Sequence, residues 1–216
     1  MGKGKTFIVG DIHGCLGMLQ RLIEKIPWEP ERDRLIFLGD YVDRGEDPKG
    51  VIDFILRLQA VSEKVQCLMG NHEHIFLDYL ERGNITAFLI NGGNSTLESY
   101  RRASIQGKQE LEIPPDHVSF LKALLPWIEL EDHYVVHAGF RPGIPLEKQD
   151  LEDLIWIREP FIYSDYDFGK RVIFGHTPFS EPLVTDSKIG LDTGAVYGNK
   201  LTCLELPGLK FHFVEA

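Results

Sequence analysis

The 216-residue chain predicts an α/β fold, and three observations carry that prediction. Five short apolar runs each stop at a Gly or His beside a metal-type ligand, the mark of a buried strand followed by a tight turn. Asp11, Asp40 and Asn71 follow the first three runs at intervals of 29 and 31 residues, the length of one right-handed strand–helix–strand crossover each. Between the runs, apolar residues recur with helical spacing. Three adjacent parallel strands are expected, with their ligands converging on the crevice at the carboxyl ends.

Each element follows from local sequence. Phe7-Ile8-Val9 places strand 6–10 ahead of Gly10-Asp11-Ile12-His13-Gly14. Leu16, Leu19, Leu22, Ile23 and Ile26 share one face of a helix over 16–26, which Pro27 and Pro30 end. Strand 34–38 leads to Gly39-Asp40, a helix spans 48–60, and strand 64–69 leads to Gly70-Asn71-His72-Glu73. A helix then runs from His72 to Arg82. Residues 83–126 read as mainly helical, with loops at Asn91-Gly92-Gly93-Asn94 and Pro114-Pro115, and as an insertion flanking the ligands. Trp127–Leu130 and Tyr134–His137 form a hairpin, and a helix covers 147–156. Strands near 171–175, 183–185, 188–192, 200–206 and 209–214 make the last third antiparallel, with Pro207-Gly208 as a turn. No linker or repeat divides the chain, so one domain over 1–216 is expected.

Composition narrows the function classes. Hydrophobic residues at 43% suffice for a core. A formal charge of −10 argues against general nucleic-acid binding, which needs a basic face. No apolar run is long enough to span a membrane, and no signal core precedes Gly10. The letters around Gly2 match an acylation pattern, but strand one starts too soon after it to leave an arm. Cys15, Cys67 and Cys203 are too few and too scattered for a disulfide framework and read as packing residues in a reducing cytoplasm.

The strand-end residues form a mixed oxygen and nitrogen donor set. Asp11, His13 and Asp40 suit one divalent ion; Asp40, Asn71, His137 and His176 suit a second, with Asp40 bridging through its two oxygens. Two ions against two carboxylates leave a local charge of about +2, which would hold phosphate inside an acidic protein. Paired metals about 3.5–4 Å apart suit in-line displacement at phosphorus by a metal-bound hydroxide. His72, beside Asn71, is placed to protonate the leaving alkoxide as general acid, with Asp43 fixing its tautomer. Arg44 is placed to fork two phosphate oxygens. His74, His117, His133 and His212 are read as non-ligands, the last three on surface-type segments; Glu73 receives no role beyond the first helical turn.

Gly10-Asp11-Ile12-His13-Gly14, Gly39-Asp40-Tyr41-Val42-Asp43-Arg44-Gly45 and Gly70-Asn71-His72-Glu73 resemble the three signature blocks of the phosphoprotein phosphatase family of calcineurin-like metallophosphoesterases. His137-Ala138-Gly139 and Gly175-His176 are similar to its later histidine blocks. Asn91-Gly92-Gly93, Ile155-Trp156-Ile157-Arg158-Glu159 and Asp192-Thr193-Gly194-Ala195-Val196 extend the likeness to the small bacterial and phage branch, typified by phage lambda protein phosphatase. The resemblance covers nearly the whole chain. It implies two mixed β-sheets flanked by helices, six metal ligands, an Asp43–His72 dyad, and phosphate-binding arginines at Arg44 and Arg158. Manganese is the implied metal, with iron, zinc and nickel as alternatives. Implied substrates are phosphoserine and phosphothreonine proteins, with diadenosine polyphosphates or other small phosphate compounds as the alternative.

Two departures refine that expectation. Eukaryotic members carry Arg where this chain has Met69, and they have a long C-terminal region that it lacks, so no obligatory regulatory subunit is implied. The diadenosine tetraphosphatase branch has Ala in place of Asp43 and Asp in place of Glu73. Both positions favour the phosphomonoester side. The segments 83–126 and 159–170, which would choose the substrate, carry no readable code.

Overall fold

A computed structural model describes residues 4–103 and 112–216; Gly2 and residues 104–111 of the expected helical stretch lie outside the described residues. The first sheet has the order β10-β9-β1-β2-β3, built from β1 (Thr6–Val9), β2 (Arg34–Phe37), β3 (Val65–Cys67), β9 (Lys200–Leu206) and β10 (Lys210–Glu215). The second has the order β4-β5-β6-β8-β7, from β4 (Trp127–Glu129), β5 (His133–Val136), β6 (Arg171–Phe174), β7 (Leu183–Val184) and β8 (Lys188–Gly190). Two mixed sheets flanked by helices result, as the resemblance implied.

Strand sequences explain the layering. Alternate residues face opposite sides of a strand. Ile8 and Ile36 of the first sheet meet Val135, Ile173 and Ile189 of the second in a core between the sheets. Their neighbours Phe7, Val9, Leu35 and Phe37 face outward onto α1 (Leu16–Lys25) and α2 (Pro48–Val61), packing with Leu19, Leu22, Val51, Ile52 and Ile55. On the far side, Val136, Val172 and Phe174 pack with Leu154 and Ile155 of α7 (Leu151–Trp156) and Phe161 of α8 (Glu159–Ile162). The central strands are covered on both faces and read as continuous apolar runs, whereas the edge strand β10 alternates.

β1, β2 and β3 pair in parallel, the predicted crossovers. The last third is not antiparallel throughout. β5 pairs with β6, and β6 with β8, in parallel, while β4–β5, β7–β8, β1–β9 and β9–β10 are antiparallel. The parallel β5–β6 pair requires a crossover, and the short helices between the strands supply it. The expected helix over 147–156 is a 3₁₀ turn at Leu146–Lys148 followed by α7, and α8 begins the segment read as a loop.

α3 (Asn71–Arg82), α4 (Ile85–Ile90), α5 (Asn94–Ala103) and α6 (Pro115–Lys122) form the helical flank beside the first sheet. Two histidines placed on surface segments are buried. His117 of α6 bonds the Tyr100 hydroxyl at 2.8 Å and Asp53 at 3.0 Å, and His212 of β10 bonds Glu205 at 2.8 Å. Each imidazole is satisfied inside the core of its own layer, which sequence polarity alone does not reveal. Cys67 and Cys203 are buried, and burial pushes the half-buried Cys15 thiol up to about 11, in keeping with packing roles. Among the described residues, no helix is long and apolar enough to cross a membrane.

Candidate active site

The loops after β1, β2, β3, β5 and β6 meet at the carboxyl ends of their strands, in the crevice where the two sheets open. Gly39 shows how tightly they meet. Its φ is +112°, and a Cβ there would lie 2.8 Å from the Gly70 nitrogen and 2.9 Å from His137 Nδ1, so only glycine fits. Five non-glycine residues in these loops hold left-handed backbone: His13, Asp40, Asp43, Arg44 and His176, with φ between 46° and 69°. Each such conformation costs about 1–3 kcal/mol and persists only where its surroundings enforce it. Five of the six non-glycine residues with positive φ among the described residues lie in these loops.

The site's three buried imidazoles after β1, β5 and β6 are neutral. Burial drives His13 and His176 down to about 3 and lowers His137 as well. Asp40 stays ionised; burial raises it, but His137, His72, His13 and His176 crowd it and hold it far below the usual carboxylate range. His13, Asp40 and His72 form one cluster of ligand atoms lying within 4.8 Å of one another, and Asp40, His137 and His176 form another. Asp40 belongs to both.

Hydrogen-bond directions show what these clusters are built to hold. His137 Nδ1 donates to the Leu38 carbonyl at 2.9 Å, so its Nε2 carries a lone pair. That lone pair faces Asn71 Oδ1 at 3.2 Å and Asp40 Oδ1 at 3.5 Å. Three electron-pair donors therefore converge with no proton between them. His13 is oriented the same way: Nδ1 bonds the Val42 carbonyl at 3.0 Å, and Nε2 faces Arg44 Nη1 at 2.6 Å. His176 differs: its Nε2 accepts from Arg158 Nε, so Nδ1 donates to Asn71 Oδ1 at 2.9 Å. Asp11 Oδ2 accepts the His176 N–H at 2.9 Å, while its Oδ1 is buried without a hydrogen-bond partner. Burial and the charges of Asp192 and Asp40 push Asp11 well above its ordinary value, as expected of carboxylates pooled where a cation belongs. The donor set fits divalent metal.

His72, a member of the first cluster, is backed by Asp43. His72 Nδ1 bonds Asp43 Oδ2 at 2.7 Å, and both side chains are buried. Burial pulls the imidazole down, but Asp40 and the bond to Asp43 outweigh it and hold His72 above the usual histidine range. An imidazole so placed can give up a proton. Arg44 and Arg158 are exposed at the mouth; Arg158 Nε donates to His176 Nε2 at 3.1 Å. All ten residues singled out from the sequence thus lie in one place.

Three further residues escaped sequence reasoning. Glu73 is fully buried and accepts backbone N–H groups from Asp40, Tyr41, Val42 and Gly70 at 2.8–3.2 Å. The Thr96 hydroxyl of α5 bonds both the carboxylate and the backbone N–H of Asp43. Asp192 follows β8 as the other acids follow their strands, and burial pushes it up to about 6. For Asp192 the signal was available, since it ends the strand-like run 188–192; for Glu73 and Thr96 no local pattern marks the role.

Fold and site together define a two-sheet metallohydrolase whose candidate ligands come from strand ends. Residues 4–211 match the family model described as calcineurin-like phosphoesterase, and the chain belongs to that family of metal-dependent phosphatases. It is 30% identical to serine/threonine-protein phosphatase 1 of Salmonella typhimurium, over 91% of this chain and 89% of that one. It is 28% identical to an asymmetrical bis(5'-nucleosyl)-tetraphosphatase of Bacillus thuringiensis, over 95% and 92%. Among solved structures, a provisionally assigned diadenosine tetraphosphatase superposes with a TM-score of 0.76 at 25% identity, covering 99% of this chain and 94% of the other.

Proposed function

We propose that residues 1–216 form one catalytic domain that hydrolyses phosphomonoesters, with phosphoserine and phosphothreonine proteins as substrates. The observation that carries this reading is the buried His72–Asp43 pair at 2.7 Å, whose imidazole borders His13 and Asp40 while its other nitrogen is held by Asp43. An alkoxide leaves phosphorus only with a proton, whereas a nucleotide phosphate leaves without one, so a built proton donor argues for the monoester. The similarity to a serine/threonine phosphatase supports the same substrate class.

Asp11, His13 and Asp40 would hold one divalent ion, and Asp40, Asn71, His137 and His176 the other. Bound there, the ions supply Lewis-acid polarisation of the phosphoryl group and an ionised water. Mixed nitrogen and oxygen donors admit several divalent metals, and manganese is proposed on the family resemblance. Arg44 and Arg158, exposed at the mouth, grip the phosphoryl oxygens and stabilise the charge that builds on them. His72 delivers a proton to the departing oxygen while Asp43 holds its other nitrogen. Three free thiols suit the reducing cytoplasm.

A second reading, cleavage of dinucleoside polyphosphates, is favoured by the tetraphosphatase relatives and by a groove of about 1170 Å³ running from Arg44 past Arg21 and Arg102. The test is an activity panel on chelated protein reloaded with manganese, using p-nitrophenyl phosphate, phosphopeptides and diadenosine tetraphosphate. Metal-dependent release of phosphate from the monoesters is expected. Fast dinucleotide cleavage with no monoester turnover would sink the leading reading.

A further inference from the structure

α5 carries none of the proposed ligands, yet it braces the loop that holds Asp43 and Arg44. Thr96 is fully buried, and its hydroxyl makes two bonds to a single residue. Oγ1 donates to Asp43 Oδ1 at 2.6 Å and accepts the Asp43 backbone N–H at 2.9 Å. The other carboxylate oxygen, Oδ2, is the one that meets His72 Nδ1. One hydroxyl therefore fixes both the carboxylate plane and a left-handed backbone, φ +69°, of the kind that only firm surroundings maintain. The same segment grips the loop twice more. Gly92 accepts the Arg44 N–H at 3.2 Å. Ser99, one turn beyond Thr96, donates to Asp47 at 2.6 Å and accepts the Lys49 N–H at 3.1 Å.

We infer that Thr96 is a positioning residue for proton delivery: acting through Asp43, it sets the ring orientation and tautomer of His72. The inference rests on the reading of His72 as the proton donor. A carboxylate anchored at one oxygen can swing about its Cβ–Cγ bond; anchored at both, it cannot. Thr96→Val keeps the shape of the side chain but leaves Asp43 Oδ1 and the Asp43 N–H buried without partners. Its effect should therefore grow with the leaving group's need for a proton.

The test uses manganese-loaded full-length protein as wild type, Thr96→Val, Thr96→Ser and His72→Asn. Turnover is measured on a phosphoserine peptide, whose alkoxide needs a proton, and on p-nitrophenyl phosphate, whose phenolate leaves unaided. Thr96→Val should lose about tenfold or more in kcat on the peptide but less than about threefold on p-nitrophenyl phosphate, at little change in KM. Thr96→Ser, which keeps the hydroxyl, should behave as wild type. Partial unfolding lowers both rates alike, so the ratio reports the dyad and not stability. Equal losses on both substrates, or none, would overturn the inference if His72→Asn still shows the leaving-group effect. If His72→Asn also loses both rates equally, the proton-donor reading falls and takes this inference with it.

Discussion

The backbone N–H of Asp40 points into the carboxylate of Glu73, donating to Oε2 at 2.8 Å. Glu73 sits in the first turn of α3 and reaches back across the crevice to the loop after β2. It gathers Tyr41, Val42 and Gly70 in the same way. The shared residue of both donor clusters is thus held in its left-handed conformation by a fully buried side chain.

Glu73→Gln should destabilise the protein by about 3 kcal/mol or more. The amide offers one acceptor where the carboxylate offers two and turns an NH₂ toward buried N–H groups, leaving several unpaired. Urea unfolding of the metal-loaded protein measures it. A loss within about 0.5 kcal/mol would show that the loop keeps its shape without this support.

Asp40→Asn should end paired metal binding, because the amide supplies one acceptor oxygen in place of two. Metal analysis after gel filtration should find fewer than two ions per chain. Two ions still bound would contradict the shared ligand.

His72→Asn should lower kcat on a phosphoserine peptide by about 10²- to 10⁴-fold while changing KM far less. Steady-state kinetics on the manganese form decides it. An unchanged kcat would remove His72 from the reaction.

Arg44→Ala should weaken inhibition by inorganic phosphate by about ten- to a hundredfold, the worth of a hydrogen-bonded charge pair on an oxyanion. Its guanidinium lies at the mouth of the crevice with Tyr197 stacked beneath it at 5.8 Å. Competition assays read the inhibition constant, and an unaltered value would assign phosphate capture to Arg158 alone.

Much of this centre is legible in the sequence because parallel strands end where ligands begin. Asp11, Asp40 and Asn71 follow β1, β2 and β3 at crossover intervals, and His137 and His176 follow β5 and β6. Strand direction in the last third was not legible. Apolar runs such as Val172-Ile173-Phe174 look alike whether the neighbour is parallel or antiparallel, and only the packing of α7 and α8 across the second sheet decides it. The supports were hidden for another reason. Thr96 sits 53 positions from Asp43, and Glu73 lies 33 from Asp40, so their roles appear only once the chain has folded. His117 and His212 misled because a polar residue in a polar-looking segment can still be buried with a partner of its own.

A proton-assisted monoester site at this crevice implies a definite order of substrate preference. The most direct measurement is the ratio of kcat/KM for a phosphoserine peptide to that for diadenosine tetraphosphate, taken on one manganese-loaded preparation. The peptide should be preferred, and His72→Asn should erase the preference. A ratio favouring the dinucleotide, unmoved by His72→Asn, would contradict it.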